Sequence, residues 1–441
     1  MTTDARGNPV STSDASALEI FEQALREYQS YVGDAVATIE RALAARPDFV
    51  MGHVFRAGVL MTAGEQRFAL LARDSVRAAE QLAGAANDRE RLLVAATRRL
   101  VDGNWHEACA AFDRVLIDYP RDAFALQTAH LFDFFRGDAT NLRNRVTRVL
   151  PGWSPRVPGY SYVLGMHAFG LEECNEYAEA RATAERALAL APRDGWAVHA
   201  VVHVLEMQGL IEDGILWLES RQRDWAPENL FAFHNWWHLA LFHLDRGDVR
   251  RVLELFDAAI CPEPVSDLSF PLVDASALLW RLFLQNADLG ARAARIAAVW
   301  ESKLEAERGF YAFNDVHALL AFAMTGREDA IRTILHDLET TTGSTANAAM
   351  AREVGLPVAR AIVAFARGRY DHVLDELEPV RDIAHRFGGS HAQRDLLTLT
   401  LIEAALRGGR PGVARHYLAE RNVRRPGSAL GWRLHARAVS A

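Results

Sequence analysis

Gly103-Asn-Trp-His-Glu-Ala-Cys-Ala-Ala-Phe-Asp-Arg-Val-Leu-Ile-Asp-Tyr-Pro120 is the stretch on which the fold turns. An aromatic follows the glycine by two positions, alanine by five, phenylalanine by nine and proline by seventeen. A turn glycine, an amphipathic helix and a closing proline make the second half of a tetratricopeptide unit. Gly137 follows Gly103 by 34 residues, the period of that class. Tyr177, Ala180, Ala187, Leu188 and Pro192 repeat the pattern, as do Gly247, Val252, Phe256, Ala259 and Pro264.

Weaker copies lie outward from these. Ala35, Ile39, Ala42, Leu43 and Pro47 close an early unit, and Ala57 and Gly64 sit in the second. Gly209 and Gly214 continue the period. Gly326, Gly368 and Gly409 open late copies, the last ending at Pro426. Between Val273 and Lys303 a helix pair is expected without a clear signature. Helical periodicity dominates throughout, and no alternating strand pattern stands out. A lone hairpin cannot bury its apolar face, so stacked hairpins share one core. The expected fold is all-α: a superhelical α-solenoid of about ten or eleven helical pairs. It is expected to run over residues 15–441 as a single domain, after a flexible tail at residues 1–14.

The chain has 441 residues, half of them apolar and 24% charged, with a formal charge of −8. That balance suits a globular core and argues against a general nucleic-acid binder. Cys109, Cys174 and Cys261 lack paired spacing, so neither a disulfide framework nor a thiolate zinc site is expected. The first residues carry no apolar signal segment, and no apolar run is long enough to cross a membrane. The reading is a cytoplasmic protein, and abundant Ala and Arg with scarce Lys suggest a bacterial source.

Two stretches carry the chemistry: Trp196-Ala-Val-His-Ala-Val-Val-His-Val-Leu-Glu206 and Phe233-His-Asn-Trp-Trp-His-Leu-Ala240. In each, two histidines stand four apart, about one helical turn, and so share a face. Glu206 continues the stripe of His199 and His203. Within the repeat register, His199, His203 and Glu206 face the groove, as do His234, His238 and Asp245 of the next repeat. Imidazoles and carboxylates on an otherwise apolar helix need partners. Neutral imidazoles at this spacing can hold zinc or a similar divalent ion, with His199, His203, His234 and His238 as ligands. Ala200 stands where a metalloprotease helix carries glutamate, so that mechanism is not supported. The other readings are a hydrogen-bonded structural network and a pocket for an organic ligand.

Further motifs bring the chain close to one family. These are Arg148-Val-Leu-Pro-Gly-Trp153, Tyr162-Val-Leu-Gly-Met-His-Ala-Phe-Gly-Leu-Glu-Glu173, the two histidine stretches, Phe313-Asn-Asp-Val-His317, Arg352-Glu-Val-Gly-Leu-Pro357 and Gly388-Gly-Ser-His-Ala-Gln-Arg-Asp395. Over about residues 15–435 the chain resembles the tetratricopeptide repeat protein 38 family. His391 is a departure, where that family is expected to carry asparagine. The resemblance implies the fold and no settled activity.

Three functions follow as expectations. The first is a solenoid whose His-, Arg- and carboxylate-lined pocket binds a small polar or anionic molecule, with the sequence leaving open whether it also acts on that molecule as an enzyme. There His199 or His203 is the general acid or base and Glu206 orients it. The ligand contacts are His234, Trp237, His238, Asn314, Asp315, His317, Arg352, His391, Arg394 and Asp395. Asn314 alone reads as a helix cap, and Ser390 with Gln393 as a capping box. Arg352 with Glu353 reads as a buried ion pair. The second function is an adaptor for a protein or peptide partner. The third is a metal-dependent hydrolase. Nucleic acid and membrane are not expected partners, and the sequence is silent on oligomeric state.

Overall fold

Every turn glycine of the repeat pattern adopts a backbone that an L side chain resists. In a computed structural model describing residues 2–440, Gly64, Gly103, Gly137, Gly209, Gly247, Gly326, Gly368 and Gly409 have φ between 65° and 89°. At Gly209 space adds to the constraint. A Cβ there would stand 2.5 Å from the Gly427 amide nitrogen. Glycine thus permits the tight hairpin corner and the close approach of backbone.

The chain divides into two units. One comprises Met1–Val201 with Gln222–Ala232, and the other Val202–Arg221 with Phe233–Ala441. The helix Gly195–Met207 passes from the first to the second. Each unit is an all-α array of helical hairpins of the α-solenoid class. The first stacks Ala15–Ser30/Ala35–Ala45, Val50–Met61/Gln66–Gln81, Asp88–Val101/Trp105–Asp118, Ala123–Phe135/Ala139–Val149 and Tyr160–Glu173/Tyr177–Leu190. Its facing rows are small and apolar: Ala180, Ala184 and Ala187 are wholly buried. Several of its buried charges are paired. Arg145 grips Asp133 through two bonds of 2.7 and 3.0 Å.

The N-terminal stretch corrects the expected flexible tail. Thr2–Thr3 and Pro9–Val10 form a short antiparallel pair. Asp4, Arg6, Asn8 and Val10 are buried. Arg6 reaches Glu22 at 2.7 Å, and Arg89, itself bonded to Asp122 at 2.7 Å, donates to the Pro9 carbonyl at 3.0 Å. Polarity suggested a solvated segment, but those polar groups are the ones that pin it. A second departure is Gln222–Ala232, which returns to the first unit. There Leu230 N–H donates to the Tyr31 carbonyl at 2.7 Å.

In the second unit the pair lacking a signature is Ser269–Leu284/Arg292–Glu307. Thirteen of the sixteen residues of Ser269–Leu284 are buried. A helix apolar on all sides has no stripe to read. Asp274 and Arg281 are charges within that buried helix. Further pairs follow, through His391–Arg407/Pro411–Arg424, and Ala429–Ser440 is the last described helix.

Candidate functional site

The second unit gathers its buried polar groups around the helices Gly195–Met207 and Ala232–Arg246. His203 and Glu206 come from the first of these, His234 and His238 from the second. All four are buried. The rings of His203 and His238 lie 4.6 Å apart, and those of His234 and His238 4.8 Å apart. Each of the three histidines has a ring nitrogen within 4.8 Å of one on the other two.

Carboxylates fix two of these rings. His234 Nδ1 donates to Asp274 at 2.6 Å, and His238 Nδ1 donates to Glu206 at 2.8 Å. A neutral imidazole that gives its Nδ1 proton to a carboxylate keeps its lone pair on Nε2. Burial, then the neighbouring His203, His234, Arg425 and Arg281, hold the His238 pKa well below the ordinary value. It is therefore neutral at physiological pH.

A second layer ties the carboxylates down. Arg425 donates to the other oxygen of Glu206 at 2.8 Å. Arg421 grips Asp395 through two bonds of 2.9 Å, and Arg425 stands 3.8 Å from that same carboxylate. These guanidiniums draw Asp395 far below the usual carboxylate range, against a large opposing effect of burial. Arg281 donates to the carbonyl of Ala392 at 2.8 Å and lies 5.4 Å above the Trp237 ring. Burial lowers its pKa to about 10. Trp237 stacks on His234, with ring centres 5.2 Å apart and planes 11° from parallel. Ser428 donates to Asp245 at 2.6 Å.

The candidates from sequence distribute unevenly about this centre. His317 is buried near it. Its Nδ1 donates to the Phe313 carbonyl at 2.7 Å, and burial, with Arg281 a smaller cause, lowers its pKa to about 4. His391 and Arg394 are half-buried beside one another, 3.1 Å apart. Ser390 and Gln393 do form the capping box.

Two expectations fail, the Asn314 cap and the buried Arg352–Glu353 pair. Asn314 is not a helix cap, because the helix Ala312–Thr325 is preceded by Tyr311 at the capping position. Asp315 turns to the loop before its helix. It accepts from Gly309 N–H at 3.2 Å, and burial raises its pKa to about 7. Arg352 is exposed on a π-helical turn and donates to the Gly343 carbonyl at 3.1 Å, so it is no buried ion pair. Its helix face points outward because the apolar positions Ala351, Val354 and Gly355 take the inner one.

His199 lies one turn before His203 on the same helix. Within the first unit its ring packs against Phe169 at 5.3 Å, Trp196 at 5.3 Å and Phe231 at 5.0 Å.

The reading of the sequence missed Asp274, Arg281, Arg421 and Arg425. For Asp274 and Arg281 a signal existed: each interrupts an otherwise apolar run, and a charge there needs a specific partner. The arginines near Pro426 offered none, since basic residues late in a helix are common.

Chemically, Nε2 atoms of neutral histidines with Nδ1 held by carboxylates form the usual first and second layers of a zinc-type site.

No known protein-family profile matches the chain. Among solved structures it is similar to a human IFIT1 dimer with m7Gppp-AAAA (14% identity, 98% of this chain and 96% of that one, TM-score 0.45). It is also similar to a chain of the APC/C hetero-tetramer Cut9-Hcn1 (15%, 96% and 76%, 0.40). Yeast Tom70 follows (11%, 96% and 87%, 0.38). At these scores the likenesses carry no argument about function. No described helix is long and apolar enough to cross a membrane.

Proposed function

We propose that this chain is a helical-repeat binding scaffold carrying a buried divalent-metal centre in its second unit. The ligands are His203, His234 and His238, and the ion is of zinc-like, borderline character. The observation that carries the reading is the pair of carboxylate–imidazole bonds, His234–Asp274 and His238–Glu206. Here two rings give their Nδ1 protons to carboxylates while ring nitrogens of all three stand within 4.8 Å of one another. Two nitrogens on one tetrahedral zinc stand roughly 3.4 Å apart, so small ring rotations close the set.

The same geometry weighs against an anionic ligand. Arg281, Arg421 and Arg425 are committed to carbonyls and carboxylates. Within the reading, the protein is cytoplasmic and belongs with the tetratricopeptide repeat protein 38 family, on the motifs quoted above.

Elemental analysis of tag-free protein tests the proposal, with cobalt(II) absorption as a second readout. Wild type is expected to hold about one metal per chain, and His203→Ala to hold little. Asp274→Asn keeps the shape of the partner and is expected to weaken metal affinity about 10–100-fold. Metal-free wild type that also gives no cobalt band on titration would overturn the reading.

A further inference from the structure

A second buried polar group lies wholly within the first unit and has no part in the histidine centre. Asp194 precedes the helix Gly195–Met207. Its Oδ1 accepts from the N–H groups of Trp196 and Ala197, each at 3.1 Å. That is a helix cap, and it uses one oxygen. Oδ2 has no hydrogen-bond partner, although Asp194 is only 2% exposed. The local packing leaves room beside it. Gly165 faces Oδ2, and a Cβ there would stand 3.1 Å from that oxygen.

Asp194 opens into a small cavity with room for a single water-sized group. Tyr31, Gln127, His130, Tyr162 and Trp196 share the lining with Gln29. Three other residues there carry polar atoms that lack partners: Trp196 Nε1 and Gln29 Nε2, on residues 8% and 3% exposed, and both ring nitrogens of the wholly buried His130. Trp196 Nε1 and Gln29 Nε2 are donors only, and the imidazole of His130 adds one donor and one acceptor. The unmatched set is thus a carboxylate oxygen and an imidazole nitrogen against three N–H donors. Buried polar groups are normally paired, so such a set describes its complement.

The complement both gives and accepts hydrogens. A hydroxyl group has that inventory, one O–H and two lone pairs. An ammonium group does not, because Trp196 and Gln29 would then point N–H groups at a cation. A carboxylate does not, because Asp194 would face it. The rim is aromatic. Tyr31 and Tyr162 are half-buried, and Tyr31 stacks on Trp196 with centres 5.8 Å apart. Aromatic faces beside buried hydroxyl-bonding groups suit the C–H face of a polyhydroxylated molecule.

We propose that this cavity is a binding site for a sugar or polyol, one hydroxyl of which enters to bond Asp194 Oδ2, Trp196 Nε1 and Gln29 Nε2. It is independent of the metal reading.

Saturation-transfer NMR on the full chain, with glycerol and glucose as probes, tests this. Two substitutions keep shape while removing single bonds. Asp194→Asn retains a capping side chain, and Trp196→Phe retains an aromatic ring. Wild type is expected to show transfer to at least one probe, with at least a fivefold loss in both folded variants. Thermal midpoints of the variants in probe-free buffer report that they are folded. Transfer of equal size in all three proteins, or none to either probe, overturns the proposal and leaves a water in the cavity. Loss of signal on chelation would reassign binding to the histidine centre and overturn it as well.

Discussion

The second unit and the first each bury an acid, Asp395 and Asp194, in opposite ways. In the second, carboxylate answers imidazole and guanidinium answers carboxylate, from Asp274–His234 to Glu206–His238 and on to Arg425 and Asp395. In the first, Asp194 is buried about as deeply, yet one oxygen lacks a partner and burial raises its pKa to about 7. Asp395, with two arginines beside it, is driven the other way. Burial alone therefore says little about a buried acid. What decides its state is whether the fold brings a cation to it.

The comparison breaks most visibly at Arg425. Arg425→Ala leaves Glu206 with only its histidine bond and removes one cation from beside Asp395. Taking one partner from a buried ion pair costs about 3–5 kcal/mol, because the remaining charge stays buried. Urea unfolding of metal-free protein is expected to show that loss. A change under about 1 kcal/mol would mean the pair is solvated and the cross-tied description wrong.

Asp194→Asn reverses the sign. An acid whose folded pKa, about 7, exceeds its unfolded 3.8 binds more protons when folded. Stability is then greatest below about pH 4, falls as pH rises toward 7, and is level above it. Tyr31 and Tyr162, which also line this cavity, stay protonated across that window. His130, its pKa lowered by burial to about 3, stays neutral. Asp315 shifts in the same direction in both proteins, so it cancels in the difference curve. At pH 8 the variant is expected to be more stable by roughly 2–3 kcal/mol. That is less than the full shift implies, because asparagine still buries a polar amide. Parallel stability curves from pH 4 to 8 would show that Asp194 is compensated after all.

The repeat was legible because its constraints are local. A positive-φ corner demands glycine, and the period between such corners survives in the sequence, as at Gly103, Gly137 and Gly409. His203, His234, His238 and Glu206 were legible for a related reason: spacing along a helix fixes their faces. Their partners were not. Asp274 sits in a helix buried on all sides, where no stripe tells inner from outer. Arg425 reaches Glu206 across 219 residues of chain, a separation no local pattern records. The N-terminal strand pair was misread because its anchors, such as Arg89 to Pro9 across 80 residues, are also distant in sequence. Asp194 was passed over because an Asp before a helix reads fully as a cap. Only packing shows that its second oxygen is buried.

Two arginines sharpen the contrast at its smallest scale. Sequence reading placed Arg352 at the site and overlooked Arg425. Arg352 is exposed, and its one bond goes to the Gly343 carbonyl at 3.1 Å. Water replaces such a bond at little cost, and its neighbour Glu353 pairs with Arg386 instead, at 2.8 Å on the surface. Arg352→Ala is therefore expected to change stability by less than about 0.5 kcal/mol and to leave metal content and polyol contacts as in wild type. The check is the same urea titration and elemental analysis used for Arg425→Ala, run side by side. Equal losses from the two would mean that motif membership, rather than burial and pairing, had been the better guide to which arginine matters.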